Sequence, residues 1–80
     1  MNYTEQYRHY DLIEVNSNLR YLREQKGISQ KELADTTGIS LRMIRYYETM
    51  AAMPSIINAY KLADCLNTTV DQLFPHSLAS

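Results

Sequence analysis

The side chains that could carry catalysis or bind a metal are few and far apart in this 80-residue sequence. His9 and His76 stand near opposite ends of the chain, without an acid or a cysteine at ligand spacing. Cys65 is the single cysteine, and its apolar neighbours favour a buried small side chain. The sequence has no nucleophile–base pair, phosphate-binding loop or metal cluster. It therefore predicts no enzyme, no cofactor and no metal site.

The basic side chains, by contrast, are concentrated in the middle of the chain. Residues 17–54 carry six Lys and Arg against four Asp and Glu, whereas residues 1–16 and 55–80 are both slightly acidic. The net charge of −1 argues against a protein that coats DNA through charge alone. Arg42 and Arg45 lie in the basic middle, and on composition alone they would be solvated surface charges. Whether these two arginines bind a partner depends on the secondary-structure elements that carry them.

Apolar residues recur at helical intervals along most of the chain, and helix start and stop signals separate the runs. The start signals are Ser29, Ser40, Pro54 with Ser55, and Thr69, and the stop signals are Gly27, Gly38 and Pro75. The fourth run repeats Ile56, Ala59, Tyr60, Ala63 and Leu66. The pattern predicts an all-α fold of five short helices, with no competing strand. The residues predicted to lie in the core are Leu33, Ile44, Tyr47 and Leu62.

The sequence divides into a tyrosine-rich arm at residues 1–16, a helical domain at residues 17–74 and a short tail at residues 75–80. A helical turn, an extended segment and partial disorder all stay open for the arm. No apolar run approaches the roughly 18 residues that span a bilayer. The N-terminus has neither the basic start nor the apolar core of a signal peptide. A cytoplasmic protein without a membrane partner is expected.

A tight corner is predicted between the second and third helices. Two helices that cross closely need a small residue near the crossing, and Ala34 supplies it. Gly38 suits the short turn because glycine adopts positive φ without penalty. Ile39, Ile44 and Tyr47 are spaced to seat the next helix. This register is typical of a helix-turn-helix, although an ordinary helical corner would share it.

The segment LREQKGISQKELADTTGISLRMIRYYET, followed by Pro54, resembles the lambda-repressor/Cro type of helix-turn-helix domain, also called the xenobiotic-response-element (XRE) family. The matching features are Arg23 before KGISQ, the sequence KELA, Gly38, Glu48 and the proline six residues after it. The closing LADCLNTTVDQLF resembles the family's fourth and fifth helices, so the resemblance covers residues 17–74. It implies an all-α, five-helix, lambda-repressor-like DNA-binding domain that contains a helix-turn-helix.

The resemblance also implies which residues meet DNA. The recognition helix would run from Ser40 to Glu48 in the major groove. The base-contacting positions hold Ser40, Leu41, Arg42, Arg45 and Tyr46, and the phosphate-contacting positions hold Gln30 and Lys31. Arg42 suits a guanine edge or a phosphate, Leu41 suits a thymine methyl, and Tyr46 either meets the sugar-phosphate backbone or only covers the surface. Arg23 and Glu48 match a structural ion pair between the first and third helices.

The loop after the recognition helix departs from the family pattern. It reads TMAAMP, with Met50 where the family commonly has glycine, and it contains no Lys or Arg. Only backbone amides are then left to meet a phosphate there. Few phosphate contacts imply modest affinity and a shallow salt dependence. A dimer would compensate, because linking two weak half-sites adds their binding.

These features predict a sequence-specific DNA-binding transcriptional regulator, in the first instance a repressor. It would bind double-stranded DNA as a homodimer on a near-palindromic operator. The dimer contact has two candidates: the fourth and fifth helices with Leu73, Phe74 and Leu78, or the arm with Leu12 and Ile13. The apolar MAAM loop and the acidic ends favour an alternative, an antitoxin-like or adaptor module that binds a protein partner. Another is a DNA-binding subdomain whose sensing domain has been lost or lies on another chain.

Overall fold

The computed structural model of the chain describes residues 13–78 and contains the five helices that the sequence predicts. Their bounds are α1 Leu19–Gln25, α2 Gln30–Thr37, α3 Leu41–Thr49, α4 Ile56–Cys65 and α5 Val70–Leu73. Two short strands flank the helices, β1 Ile13–Val15 and β2 His76–Leu78. The all-α expectation is confirmed for the body of the fold, and the strands are an addition to it.

Side-chain caps start four of the five helices. The hydroxyl oxygens of Ser29, Ser40, Ser55 and Thr69 each accept a hydrogen bond from the backbone amide three residues on, at 3.0 to 3.1 Å. Each bond satisfies an amide that the first helical turn leaves without a partner. The first helix differs, because the side chain of its N-cap Asn18 makes no capping bond and the hydroxyl oxygen of Ser17 instead accepts from the amide of Leu19 at 3.3 Å.

The two strands pair antiparallel, with Ile13 opposite Leu78 and Val15 opposite His76. The pairing continues toward the helices, since the amide of Asn16 donates to the carbonyl of Pro75 at 2.9 Å. The prediction of no strand is wrong at this point. Three residues are too few to show a two-residue period, and the partner segments come from opposite ends of the sequence. The expectations for Tyr3, Tyr7, Tyr10 and Leu12 lie outside the described residues.

The core forms where α2 packs against both α3 and α4, α4 packs against α5, and α1 packs against α3. Leu33, Ile44, Tyr47 and Leu62 are all buried, as predicted. The hydroxyl oxygen of Tyr47 accepts a hydrogen bond from Asn58 at 3.0 Å, which satisfies the polar end of this buried ring. The other buried apolar residues are Leu19, Ala34, Ile39, Ala59, Ala63, Leu66, Leu73 and Phe74.

The periodic run on α4 covers two faces of the helix. Ile56 and Tyr60 are 74% and 60% exposed, so they belong to the surface, whereas Ala59, Ala63 and Leu66 are buried. Both sets satisfy helical spacing, because residues four apart always share a face. Periodicity alone could not show which of the two adjacent stripes faces the core.

Replacing Gly38 with alanine is expected to lower the free energy of unfolding by about 1–2 kcal/mol, the cost of left-handed backbone for a residue with a Cβ. Gly38 has φ +75°, and its amide donates to the carbonyl of Ala34 at 2.9 Å. A Cβ at this position would meet no atom within 4 Å, so no steric clash adds to the backbone strain. Urea unfolding followed by circular dichroism measures it. Gly38→Asn is the control and should lose less, because asparagine tolerates this conformation. Equal losses for both variants would contradict the explanation.

Candidate nucleic-acid interface

The corner formed by α2, Gly38 and α3 gives α3 two different faces. Ile44 and Tyr47 on the inner face are buried against the core. Ser40, Arg42 and Arg45 on the outer face are exposed. Because the inner side chains fix the rotation of the helix, the outer ones are held outward as a set.

The remaining predicted residues of this surface are placed around that outer face. Leu41 and Tyr46 are half-buried, so part of each side chain reaches the surface. Gln30 is half-buried at the first position of α2, and Lys31 beside it is exposed. Lys31, Ser40 and Leu41 line one shallow depression between the starts of α2 and α3. The exposed Asp35 lines the same depression and places a negative charge there.

Arg42 lies over the ring of Tyr46, one helical turn further on. Its guanidinium carbon is 5.3 Å from the ring centroid, and its Nε donates to the Tyr46 hydroxyl oxygen at 3.0 Å. Stacking and the hydrogen bond together restrict a side chain that would otherwise be free in solution. The pair therefore offers a partly ordered, planar cationic group at the protein surface.

Arg45 belongs to a different set of contacts, which crosses from α3 to α2. Its Nε donates to Gln30 Oε1 at 3.3 Å, and Gln30 Nε2 donates to Glu48 Oε1 at 3.0 Å. The amide of Gln30 thus bridges an exposed cation and a buried carboxylate. The sequence did not predict this bridge, because its partners lie on separate helices and meet only through packing.

The carboxylate of Glu48 lies at the centre of this network. Arg23 Nε donates to Glu48 Oε2 at 2.7 Å, and Arg23 Nη2 donates to Glu48 Oε1 at 3.3 Å. Arg23 Nη1 donates to the carbonyl of Ile28 at 2.8 Å. The two side chains are only 10% and 3% exposed. In the described part of the chain, every buried side-chain nitrogen and oxygen has a partner. A continuous polar chain thus runs from Arg23 through Glu48 and Gln30 to Arg45.

A second ion pair lies on the surface of α1 and behaves differently. Arg20 Nε donates to Glu24 Oε1 at 2.9 Å, with both side chains more than half exposed. This hydrogen bond lowers the pKa of Glu24 and raises the pKa of Arg20. Because the pKa of Glu24 is lowered in the folded chain, the ionised carboxylate stabilises the fold at pH values above its ordinary pKa. That stabilisation is lost as the pH falls through the lowered pKa. Solvent screens an exposed pair, so its contribution to stability is small.

The loop between α3 and α4 adds no cation to this surface. Met50 ends α3 with φ +60°, and the amides of Ala51 and Ala52 donate to the carbonyl of Tyr46 at 2.9 and 3.4 Å. These two amides are therefore not aimed outward at an anion. Met53, in the same loop, is 63% exposed.

Within residues 13–78, the structure holds neither a candidate metal cluster nor a membrane-spanning helix. His, Cys, Asp and Glu side chains form no group of three that could hold a metal ion in this part of the chain. Cys65 is half-buried on α4 and His76 is exposed on β2. None of the helices described has the length and apolar character needed to cross a membrane.

Comparison with known proteins points to one family. A family model described as "Helix-turn-helix" matches residues 19–73, from the first residue of α1 to the last residue of α5. The chain is 31% identical over 61 residues to "Cryptic phage CTXphi transcriptional repressor RstR" of Vibrio cholerae serotype O1, covering 76% of this chain and 54% of that protein. It is 34% identical over 53 residues to "HTH-type transcriptional regulator SutR" of Escherichia coli (strain K12), covering 66% and 30%.

A third relative is close to this chain in length. It is an uncharacterised HTH-type transcriptional regulator of Archaeoglobus fulgidus, 32% identical over 60 residues, which are 75% of this chain and 86% of that protein. By contrast, the chain spans about half of the Vibrio protein and under a third of the Escherichia protein.

Proposed function

We propose that this chain, which belongs to the lambda-repressor/Cro-type helix-turn-helix family, is a sequence-specific DNA-binding transcriptional regulator. The observation that carries the proposal is the outer face of α3. It holds Arg42 and Arg45 outward while Ile44 and Tyr47 fix the helix from within. A helix of this diameter fits the major groove of B-DNA, where each base pair presents a distinct set of donors and acceptors.

Base recognition is assigned to the first turns of α3. The Arg42 guanidinium, already ordered by Tyr46, suits the two acceptors of a guanine edge or a phosphate. The half-buried Leu41 suits the methyl group of a thymine, and the exposed Ser40 suits a base edge. Arg45 would exchange its contact with Gln30 for one with DNA.

Phosphate binding is assigned to the start of α2. Gln30 and Lys31 occupy its first turn, where backbone amides and the helix dipole favour an anion. To bind a phosphate, Gln30 would give up one of its two contacts with Arg45 and Glu48. Because the loop after α3 contributes no cation, the count of phosphate contacts is low and the salt dependence shallow.

The proposal also specifies the mode of regulation, which is repression by a homodimer. One relative is named a transcriptional repressor and two are named transcriptional regulators. Two copies on a near-palindromic operator would place their recognition helices about 34 Å apart, one turn of B-DNA. A cytoplasmic location and the absence of enzymatic activity are part of the same proposal.

Binding to the DNA that flanks the chain's own gene tests the proposal directly. Fluorescence anisotropy at two salt concentrations should give saturable binding that exceeds binding to random duplex. The variant Arg42→Ala/Arg45→Ala should lose that preference. Its matched control is Arg20→Ala/Lys61→Ala, which removes the same number of exposed positive charges from α1 and α4.

Absence of binding by the unaltered protein, even at low salt, would overturn the DNA-binding proposal. The second candidate would then take its place, an antitoxin-like or adaptor module that binds a protein partner. The exposed apolar side chains of Met53, Ile56 and Ile57 are the observation in its favour. Equal losses for the two double variants would show that bulk charge, not α3, binds the DNA.

A further inference from the structure

The four arginines of residues 13–78 bond to two kinds of acceptor. Arg20 and Arg23 each donate from Nε to a carboxylate. Arg42 and Arg45 each donate from Nε to an uncharged oxygen. A carboxylate neutralises a guanidinium, whereas an uncharged oxygen restrains it and leaves its charge available to a partner. The two arginines that keep their charge in this way are the two on the outer face of α3.

Of these two arginines, Arg42 is held by more contacts. Its Nε donates to the Tyr46 hydroxyl oxygen at 3.0 Å, and its guanidinium carbon lies 5.3 Å from the centroid of the same ring. Arg45 has a single bond to Gln30, at 3.3 Å and on another helix. Within residues 13–78, no carboxylate oxygen lies within 4 Å of the Arg42 guanidinium. Tyr46 therefore restrains a cation that no nearby acid neutralises.

The bond to Tyr46 determines which edge of the Arg42 guanidinium is available. Because Nε is occupied, the edge formed by Nε and its neighbouring Nη cannot bind a second pair of acceptors. The end formed by Nη1 and Nη2 makes no bond to another residue of the described part, and it presents a rigid fork of N–H donors. Guanine offers two acceptors, N7 and O6, on its major-groove edge. The available end of Arg42 matches that edge.

Tyr46 also determines where the guanidinium lies on the helix. Residues four apart share one face of a helix, so the bond from Arg42 to Tyr46 runs along α3 and not across it. The guanidinium is thereby kept over the outer face. When α3 lies in the major groove, that face is directed at the base edges. The phosphates line the two rims of the groove, and an arginine without this restraint would be able to turn toward them.

We propose that Tyr46 is a positioning residue, which acts on DNA through Arg42 and commits Arg42 to a guanine instead of a phosphate. Each half-site of the operator then contains a guanine bound by the Nη1 and Nη2 groups of Arg42. The inference rests on the proposed function, because it names the base that one position of α3 recognises. It gives Tyr46 a role other than direct contact with the sugar-phosphate backbone.

Selection from a library of duplexes with a randomised segment tests the guanine. The unaltered protein should enrich a guanine at one position of each half-site, and Arg42→Ala should lose the enrichment at that position alone. In the selected duplex, 7-deazaguanine at this position lacks the N7 acceptor and should weaken binding about tenfold. Inosine is the matched control. It keeps N7 and O6 and lacks only the minor-groove amino group, so it should weaken binding much less.

Tyr46→Phe tests the positioning. It removes the hydroxyl oxygen and keeps the ring, so the guanidinium regains the freedom to turn toward a phosphate. The preference for guanine at the Arg42 position should fall at least about threefold, the usual effect of one hydrogen bond, while preferences at other positions stay the same. Tyr21→Phe is the matched control, since it removes a hydroxyl from a tyrosine that is 62% exposed on α1 and should change no preference. Circular dichroism checks that each variant is folded.

Three results would overturn the inference. The first is a selected site in which Arg42→Ala affects no guanine, and the second is a 7-deazaguanine duplex that binds as well as the guanine duplex. The third is a Tyr46→Phe variant that binds all duplexes more weakly and keeps its guanine preference, which indicates a direct phosphate contact. In each case the protein still selects DNA, so the proposed function stands while the inference fails. A protein that selects no duplex would overturn both.

Discussion

Replacing Arg23 with methionine should lower the free energy of unfolding by about 3–5 kcal/mol, the usual cost of leaving one member of a buried ion pair alone. Methionine keeps the apolar stem of the side chain, so the loss reports the missing guanidinium. The carboxylate of Glu48, only 3% exposed, would lose its cationic partner and keep the Gln30 amide alone. The carbonyl of Ile28 would lose its donor from Arg23 as well.

Removing both charges separates the free-energy cost of an unpaired carboxylate from the net contribution of the ion pair to stability. Arg23→Met/Glu48→Leu should recover most of the loss, since apolar replacement of a complete buried pair is often nearly neutral. Arg20→Gln is the matched control, since Glu24 also lies 3.9 Å from Arg23 Nη2. It breaks an ion pair that is exposed, and urea unfolding at neutral pH should show no resolvable change. A double variant as unstable as Arg23→Met would contradict this explanation and indicate that the pair itself stabilises the fold.

Local sequence signals predicted the helical corner well, because the residues that form it act on their own backbone. Ser29 and Ser40 each cap the helix that follows them, and Gly38 has the positive φ that a tight turn requires. Each of these effects spans four residues or fewer. They could therefore be inferred without knowing what packs against the corner.

The backbone conformation at Met50 could be predicted only in part from the sequence. Met50 stands where the family commonly has glycine. The backbone at Met50 nevertheless has φ +60°, the left-handed conformation that glycine adopts freely. A side chain with a Cβ pays strain of about 1–2 kcal/mol there. The side chain of Met50 packs partly against the core, which offsets that strain.

The contacts that the sequence missed all join segments distant along the chain. The strand pair β1–β2 and the bridge from Arg45 through Gln30 to Glu48 depend on how separate elements pack. The exposure of Ile56 depends on which stripe of α4 the core accepts. Spacing within one element cannot specify any of these. The residue roles in DNA binding likewise stay predictions, because no property of the free protein measures them.

Those roles can be separated by replacing one residue at a time, starting with Arg42→Ala. A bidentate contact with a base accounts for about 1–3 kcal/mol of discrimination, and a dimer on two half-sites would lose it twice. Binding to the operator should therefore weaken by more than tenfold, while binding to random duplex falls much less. Titrations of both duplexes by fluorescence anisotropy give the two affinities and their ratio.

Lys31→Ala is the contrasting variant, because a phosphate contact carries no sequence information. It should weaken operator and random duplex alike and reduce the salt slope by about one for each Lys31, or about two for a dimer. Tyr46→Phe removes the oxygen that accepts from Arg42 Nε and keeps the ring beneath it, so its loss should be smaller than that of Arg42→Ala. If Arg42→Ala instead lowered both affinities equally, Arg42 would be a phosphate contact, and sequence recognition would have to come from Ser40, Leu41 or Arg45.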